Sequence, residues 1–173
     1  MSFRNSASFG KRQEFAAIAE LLKRGFDVYL TMVDDQQIDC IVRLDREPPK
    51  YIDVQIKARS RTAKSPGTFA AMEIRKPREN FFFIFYSEAA NCYWVMPSLD
   101  VIRLANRNKS GKAAGRYRIV FTNTNSKGKA RPRPKWKKYE DNFALLSHGS
   151  DTLQLPIVSR EMAAYPESRN RPV

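Results

Sequence analysis

Histidine is nearly absent from this chain: His148 is the only one among 173 residues. That argues against a histidine-built zinc site and against a Ser-His-Asp triad. Cysteine is scarce too, with only Cys40 and Cys92, each inside an apolar stretch. They read as small core residues of a protein in a reducing, cytoplasmic compartment rather than as a disulfide framework. Glycines 111, 115, 128 and 149 are too scattered for a Gly-rich phosphate loop. No apolar run reaches the ~18 residues that span a membrane. The longest candidate, Phe81 to Tyr86, has the length of a strand. Met1 to Arg12 is polar and lacks an apolar signal core, so no secretion signal is expected.

Acidic residues are in deficit. Lysine and arginine number 31 against 18 for aspartate and glutamate, a net charge of +13. An excess of this size favours a polyanionic partner, nucleic acid first and an anionic membrane surface second. A soluble basic protein with no such partner has the same composition. The acids that are present are unevenly placed: Asp34, Asp35, Asp39, Asp45, Glu47 and Asp53 crowd one short stretch. A metal site facing a phosphate backbone is one reason for acids to cluster inside a basic protein.

The patterning predicts a mixed α/β chain. Phe15, Ile18, Ala19 and Leu22 recur at helical spacing over residues 11–24, with Gly25 as the stop. Strands are expected at Phe26 to Val33, Ile38 to Leu44 and Tyr51 to Ala58, the first two joined by a turn over Asp34 to Gln37. Residues 59–68 read as a polar loop, followed by a short segment of helical character ending before Pro77. Two further strands, Phe81 to Tyr86 and Tyr93 to Met96, flank a turn at Ala89 to Asn91. A short helix over Leu99 to Asn106 takes Ser98 as its N-cap, and Arg116 to Thr122 is another strand. Tyr139 to Leu146 reads as a last short helix. One domain is expected over residues 1–150, including the basic segment 127–138, with 151–173 as a loose extension.

The second and third strands carry the chemistry. Alternation puts Asp39, Ile41 and Arg43 on one face, and Asp53, Gln55, Lys57 and Arg59 together on the polar face of the next strand. Gln55 and Lys57 then lie about 7 Å apart, and a hairpin brings Asp39 beside them. Asp39 offers a carboxylate, Gln55 a neutral carbonyl oxygen and Ile56 a backbone carbonyl. Together they suit a Mg²⁺ ion that polarises a phosphate and acidifies a bound water. Lys57 is placed to orient the attacking water or to neutralise charge on the phosphate. The same residues also fit a turn-proximal acid paired with Arg43 or Lys57 and a solvated strand face. Asp53 reads as structural.

A leading helix with Gly10 and Glu14, then Gly25-Phe26, then Asp39 opening a strand, then Val54-Gln55-Ile56-Lys57, resembles the PD-(D/E)XK nuclease superfamily. The nearest likeness is to archaeal Holliday-junction-resolvase-like and related restriction-type members. The resemblance covers residues 10–60 and extends weakly through Phe81 to Pro97. It implies a restriction-endonuclease-like αβββαβ core with a mixed sheet flanked by helices, a divalent metal (Mg²⁺, with Mn²⁺ as substitute) and a DNA substrate, with RNA not excluded. It makes Asp39 the metal-binding aspartate, Lys57 the motif lysine and Glu14 an acidic residue on the first helix. Gln55 stands where Glu or Asp is usual, which removes one negative charge and weakens Mg²⁺ binding. Homodimers are common in the superfamily, so one is an expectation here.

Two basic groups are candidates for gripping nucleic acid. Arg59, Arg61 and Lys64 follow the motif directly. Lys127, Lys129, Arg131, Arg133, Lys135, Lys137 and Lys138 alternate with small residues and proline, with Trp136 and Tyr139 among them for stacking on bases. A solvated basic loop has the same pattern. Three functions follow: a Mg²⁺-dependent DNA endonuclease, a nucleic-acid-binding module that keeps the nuclease fold without turnover, and a basic protein docking on an acidic protein surface.

Overall fold

The computed structural model describes residues 3–32, 36–124 and 129–148. The segment 151–173, Lys127, Asp34 and Asp35 lie outside these residues. The chain folds as α1 (Phe3–Lys23), β1 (Asp27–Leu30), β2 (Cys40–Leu44), β3 (Lys50–Arg59), β4 (Thr68–Met72), β5 (Phe81–Ser87), β6 (Cys92–Pro97) and α2 (Ser98–Leu104). There follow β7 (Asn106–Arg107), β8 (Tyr117–Val120), β9 (Thr122–Thr124), β10 (Ala130–Pro132), a 3₁₀ helix at Pro134–Tyr139 and α3 (Ala144–His148).

The first helix begins eight residues before its apolar periodicity becomes visible. It ends where Gly25 takes φ +81°. There Gly25 N–H donates to the Leu22 carbonyl at 2.9 Å and Phe26 N–H to the Leu21 carbonyl at 3.2 Å. This is the two-bond Schellman stop, and a Cβ at Gly25 would strain it. The buried face differs from the expected one. Phe9, Ala17, Ile18 and Leu21 point inward, whereas Phe15 and Leu22 are each 54% exposed. A stripe of four apolar residues defines the period but not which edge of the stripe meets the sheet.

The central sheet has five strands in the order β1-β2-β3-β5-β6. The β1–β2, β2–β3 and β5–β6 pairs are antiparallel, and β3–β5 is parallel. A parallel pair needs a long crossover. Here that crossover contains β4, where a short helical segment was expected. β4 leaves the central sheet and pairs with β8 in a separate sheet ordered β4-β8-β7. Tertiary pairing with residues some fifty positions downstream overrides the weak local preference.

Two apolar layers sandwich the central sheet. Ala17, Ile18, Leu21, Val42, Val54, Ile56, Ile84 and Leu146 join α1 and α3 to one face. Phe69, Phe81, Phe83, Phe85, Trp94, Val101, Ile119 and Phe121 join the three-stranded sheet and α2 to the other. The β5 run Phe-Phe-Phe-Ile-Phe is buried on both faces, as a near-continuous apolar strand must be. Helix α2 begins at Ser98, but Ser98 is not its side-chain cap: Pro97 occupies that position. The Ser98 hydroxyl instead accepts from Arg78 N–H at 2.9 Å and donates to the Arg78 carbonyl at 2.8 Å. The C-terminal helix starts later than expected, because Pro134 first initiates the 3₁₀ turn.

Candidate functional site

Asp39 sits one residue before β2. The ladder between β2 and β3 ends at the Cys40–Val54 pair, while β3 runs on to Arg59. Beyond that point the β2-side edge of β3 would carry an unsatisfied N–H at Ile56. Asp39 caps it: its backbone N–H donates to the Val54 carbonyl at 2.9 Å, and its carboxylate accepts the Ile56 N–H at 2.6 Å. In an extended strand the N–H and C=O of one residue leave on the same side, so the Ile56 carbonyl also faces the Asp39 edge.

Two polar contacts hold Asp39 there. The Thr31 hydroxyl, just past β1, donates to the Ile38 carbonyl at 2.6 Å, with the Asp39 carbonyl at 3.2 Å. Gln37, with φ +62°, spans to the exit of β4. Its Nε2 donates to the Glu73 carbonyl and its Oε1 accepts the Arg75 N–H, each at 3.1 Å. This amide brace ties the Asp39 turn to the crossover, and nothing in the local sequence around Gln37 announces it.

Gln55, Asp53 and Lys57 share the face of β3 opposite α1, in register with Phe83, Phe81 and Phe85 of β5. Gln55 is only 2% exposed, and its Oε1 has no hydrogen-bond partner. A buried carbonyl oxygen without a donor costs about 1–3 kcal/mol and asks for an explanation. Asp39 lies on the neighbouring strand edge, one residue beyond the Cys40–Val54 pair and so opposite Gln55. The Asp39 carboxylate, Gln55 Oε1 and the Ile56 carbonyl are the oxygens here that would hold a hard divalent cation.

Asp53 takes no part in that group. Its carboxylate is bound by the guanidinium of Arg78, which in turn stacks 4.9 Å above the Phe81 ring. Lys57 lies partly buried in the wall of a cleft of about 230 Å³, between β3 and the β4 strand, with Gln37, Arg59 and Glu73. Among the described residues no carboxylate lies within ion-pairing distance of Lys57. Glu14 remains on α1 with its carboxylate held by Lys11 at 2.7 Å, and it makes no hydrogen bond to Asp39, Gln55 or Lys57. Next to the site, burial pushes the Cys40 thiol up to about 12, with the Asp39 charge adding to the effect.

The basic candidates divide. Arg59 lines the Lys57 cleft and an adjoining one that also contains Lys64. Arg61 is turned away and held by Glu88, through an ion pair at 3.6 Å and its own N–H at 2.9 Å. Lys129 and Arg131 are exposed beside and within β10, and Arg133 follows partly covered. Lys135 stands 4.2 Å over the Trp136 ring, and Lys137 pairs with Glu140 at 3.2 Å. The aromatics of this stretch do not reach outward for bases. Trp136 and Tyr139 are 3% and 1% exposed, with the indole N–H donating to the Val120 carbonyl at 2.7 Å and the Tyr139 hydroxyl to Asp100 at 2.6 Å. Their spacing of three places both on the inner side of a 3₁₀ turn, a geometry that an extended reading of the segment misses.

No helix among the described residues is long and apolar enough to cross a membrane. No family model and no curated protein sequence matches the chain. Among solved structures the chain is similar to a bacterial homing endonuclease, I-Ssp6803I, with a TM-score of 0.55 and 19% sequence identity, over 80% of this chain and 90% of that one. The central mixed sheet with its flanking helices is therefore a fold that the chain shares with that protein.

Proposed function

We propose that the chain is a metal-dependent DNA endonuclease of the PD-(D/E)XK type. One observation carries the reading: Gln55, whose Oε1 is buried and without a donor, stands opposite Asp39 in the strand register where β2 leaves β3. The shared fold with a homing endonuclease and the net charge of +13 support the same reading.

In this reading Asp39, Gln55 and the Ile56 carbonyl hold Mg²⁺. Such an ion supplies charge neutralisation at the scissile phosphate and acidifies the attacking water. The chain's own residues do the rest. Asp39, fixed by the Ile56 N–H, keeps its carboxylate aimed at the edge of the sheet rather than at solvent. Lys57, with no carboxylate partner among the described residues, orients the attacking water and offsets negative charge that builds on the phosphate oxygens. Phe83 and Phe85, fully buried beside Gln55 and Lys57, exclude water from the inner wall and strengthen those interactions.

Incubating the chain with plasmid, branched DNA and RNA, with Mg²⁺ or Mn²⁺ and with EDTA, tests this directly. Metal-dependent cleavage is expected, and Lys57→Ala should abolish it while leaving the fold intact. Asp39→Asn keeps an acceptor for the Ile56 N–H, so it should fold normally yet lose Mn²⁺ binding by calorimetry. Normal cutting by Lys57→Ala would overturn the site assignment. The neutral amide of Gln55 favours one other reading, a nucleic-acid-binding module without turnover. That module would bind DNA in a salt-dependent way with no Mn²⁺ heat that Asp39→Asn removes.

A further inference from the structure

Beside the cleft that contains Lys57 lies a second one of about 370 Å³. Its wall carries Phe9 from α1, Arg59 from the end of β3, and Ser60, Thr62 and Lys64 from the loop that follows. Ala58 and Arg59 line both clefts, so the two adjoin across the end of β3. Among the described residues no carboxylate belongs to the second wall.

Beside these clefts Arg61 is paired with Glu88 and Arg75 with Glu73. Among the described residues Lys57, Arg59 and Lys64 have no such pairing, although they stand in concave walls. Cations that converge in a concavity repel one another, and an anion placed between them relieves that repulsion. The Arg59 guanidinium lies 5.9 Å over the Phe69 ring, a contact that steadies the side chain without using its N–H donors. Lys57 and Arg59 share a strand face two residues apart, about 7 Å. Successive phosphates of one nucleic-acid strand repeat on the same scale.

We infer that the second cleft is a phosphate subsite. It takes a backbone phosphate of the strand whose neighbouring phosphate lies at Lys57, with Arg59 between the two and Lys64 on the far side. The inference rests on the nuclease reading for its substrate and extends it by naming where the strand leaves the site. It also separates the basic candidates: Arg59 and Lys64 contact the strand, and Arg61, held by Glu88, does not.

The test is binding of a fluorescein-labelled duplex and its single strand to the full chain in EDTA, by anisotropy across 50–200 mM salt. Arg59→Ala and Lys64→Ala should each weaken binding and reduce the slope of log K against log salt by about one. Arg59→Lys should keep the slope, and Lys23→Ala, at the far end of α1, should change neither quantity. Circular dichroism verifies that the variants fold. Slopes of Arg59→Ala and Lys64→Ala equal to that of the parent would overturn the subsite. The two readings fail separately. Parent protein that never cleaves with Mg²⁺ sinks the nuclease reading, while a fallen slope in EDTA still upholds the subsite. Metal-dependent cleavage with unchanged slopes sinks the subsite alone.

Discussion

Replacing Gln55 by glutamate is the most informative perturbation. Gln55→Glu is nearly isosteric, so packing against Phe83 is kept and only charge changes. The new carboxylate lies at a position 2% exposed, across from Asp39. Burial and a like charge both disfavour its ionised form, and fully buried acids rise by up to ~3–5 pKa units. The unfolded chain ionises Glu near ~4.3. At ~1.4 kcal/mol for each pKa unit, the penalty at pH 7 is capped near ~3.7 kcal/mol, since nothing beyond pH 7 counts. Lys57 on the same face pulls the other way, which leaves about 2–3 kcal/mol.

The sign follows from linkage. The folded pKa lies above the unfolded one, so Gln55→Glu matches the parent below about pH 4 and loses stability as pH rises toward neutrality. At ~2–4 °C for each kcal/mol, the melting temperature in EDTA at pH 7 should fall by about 4–12 °C. Millimolar Mn²⁺ should restore most of it, because an ion bound to the native state alone stabilises that state. Thermal melts at pH 4 and pH 7, each with EDTA and with Mn²⁺, give the full comparison. A variant as stable as its parent at pH 7 in EDTA would refute the reasoning, since it would mean that position 55 is solvated. Loss of stability that Mn²⁺ fails to reverse would refute the cation site.

Trp136→Ala should cost about 3–5 kcal/mol of stability by urea denaturation, because the indole is buried against Phe121 and hydrogen-bonded to Val120. Weakened DNA binding at unchanged stability would contradict that placement. The Cys40 thiol, pushed up to about 12, should resist a thiol reagent at pH 8 until urea is added. Because the unfolded thiol ionises near 9, the chain should also lose stability as pH rises from 9 toward 12.

Much of the sheet is legible in the sequence, since strand alternation is a local property. Ile52, Val54 and Ile56 alternate with Asp53, Gln55 and Lys57, and the two sets do fall on opposite faces. Phe81 to Phe85 announces a strand buried on both sides because no polar residue interrupts it. Other features resist such reading because their cause is distant in the chain. The β4 segment is a strand only because β8 is available to pair with it. Residues 134–139 turn inward because Trp136 and Tyr139 find an apolar layer built by β5, β6 and β8. The α1 stripe was visible, yet the choice of Ala17 and Leu21 over Phe15 and Leu22 is made by the sheet's shape.

The candidate site divides in the same way. By itself the sequence determined which residues share a strand face, where the acids crowd, and that positive charge exceeds negative by 13. Those are matters of covalent order, backbone alternation and composition. Only the tertiary structure decided that Asp39 caps Ile56, that Gln55 Oε1 is left without a donor, and that Gln37 braces the turn against the β4 exit. It alone decided that Asp53 and Arg61 are absorbed by Arg78 and Glu88 while Lys57, Arg59 and Lys64 face adjoining clefts. Burial, pairing and concavity depend on which distant segments meet, and that is settled by packing the whole chain at once.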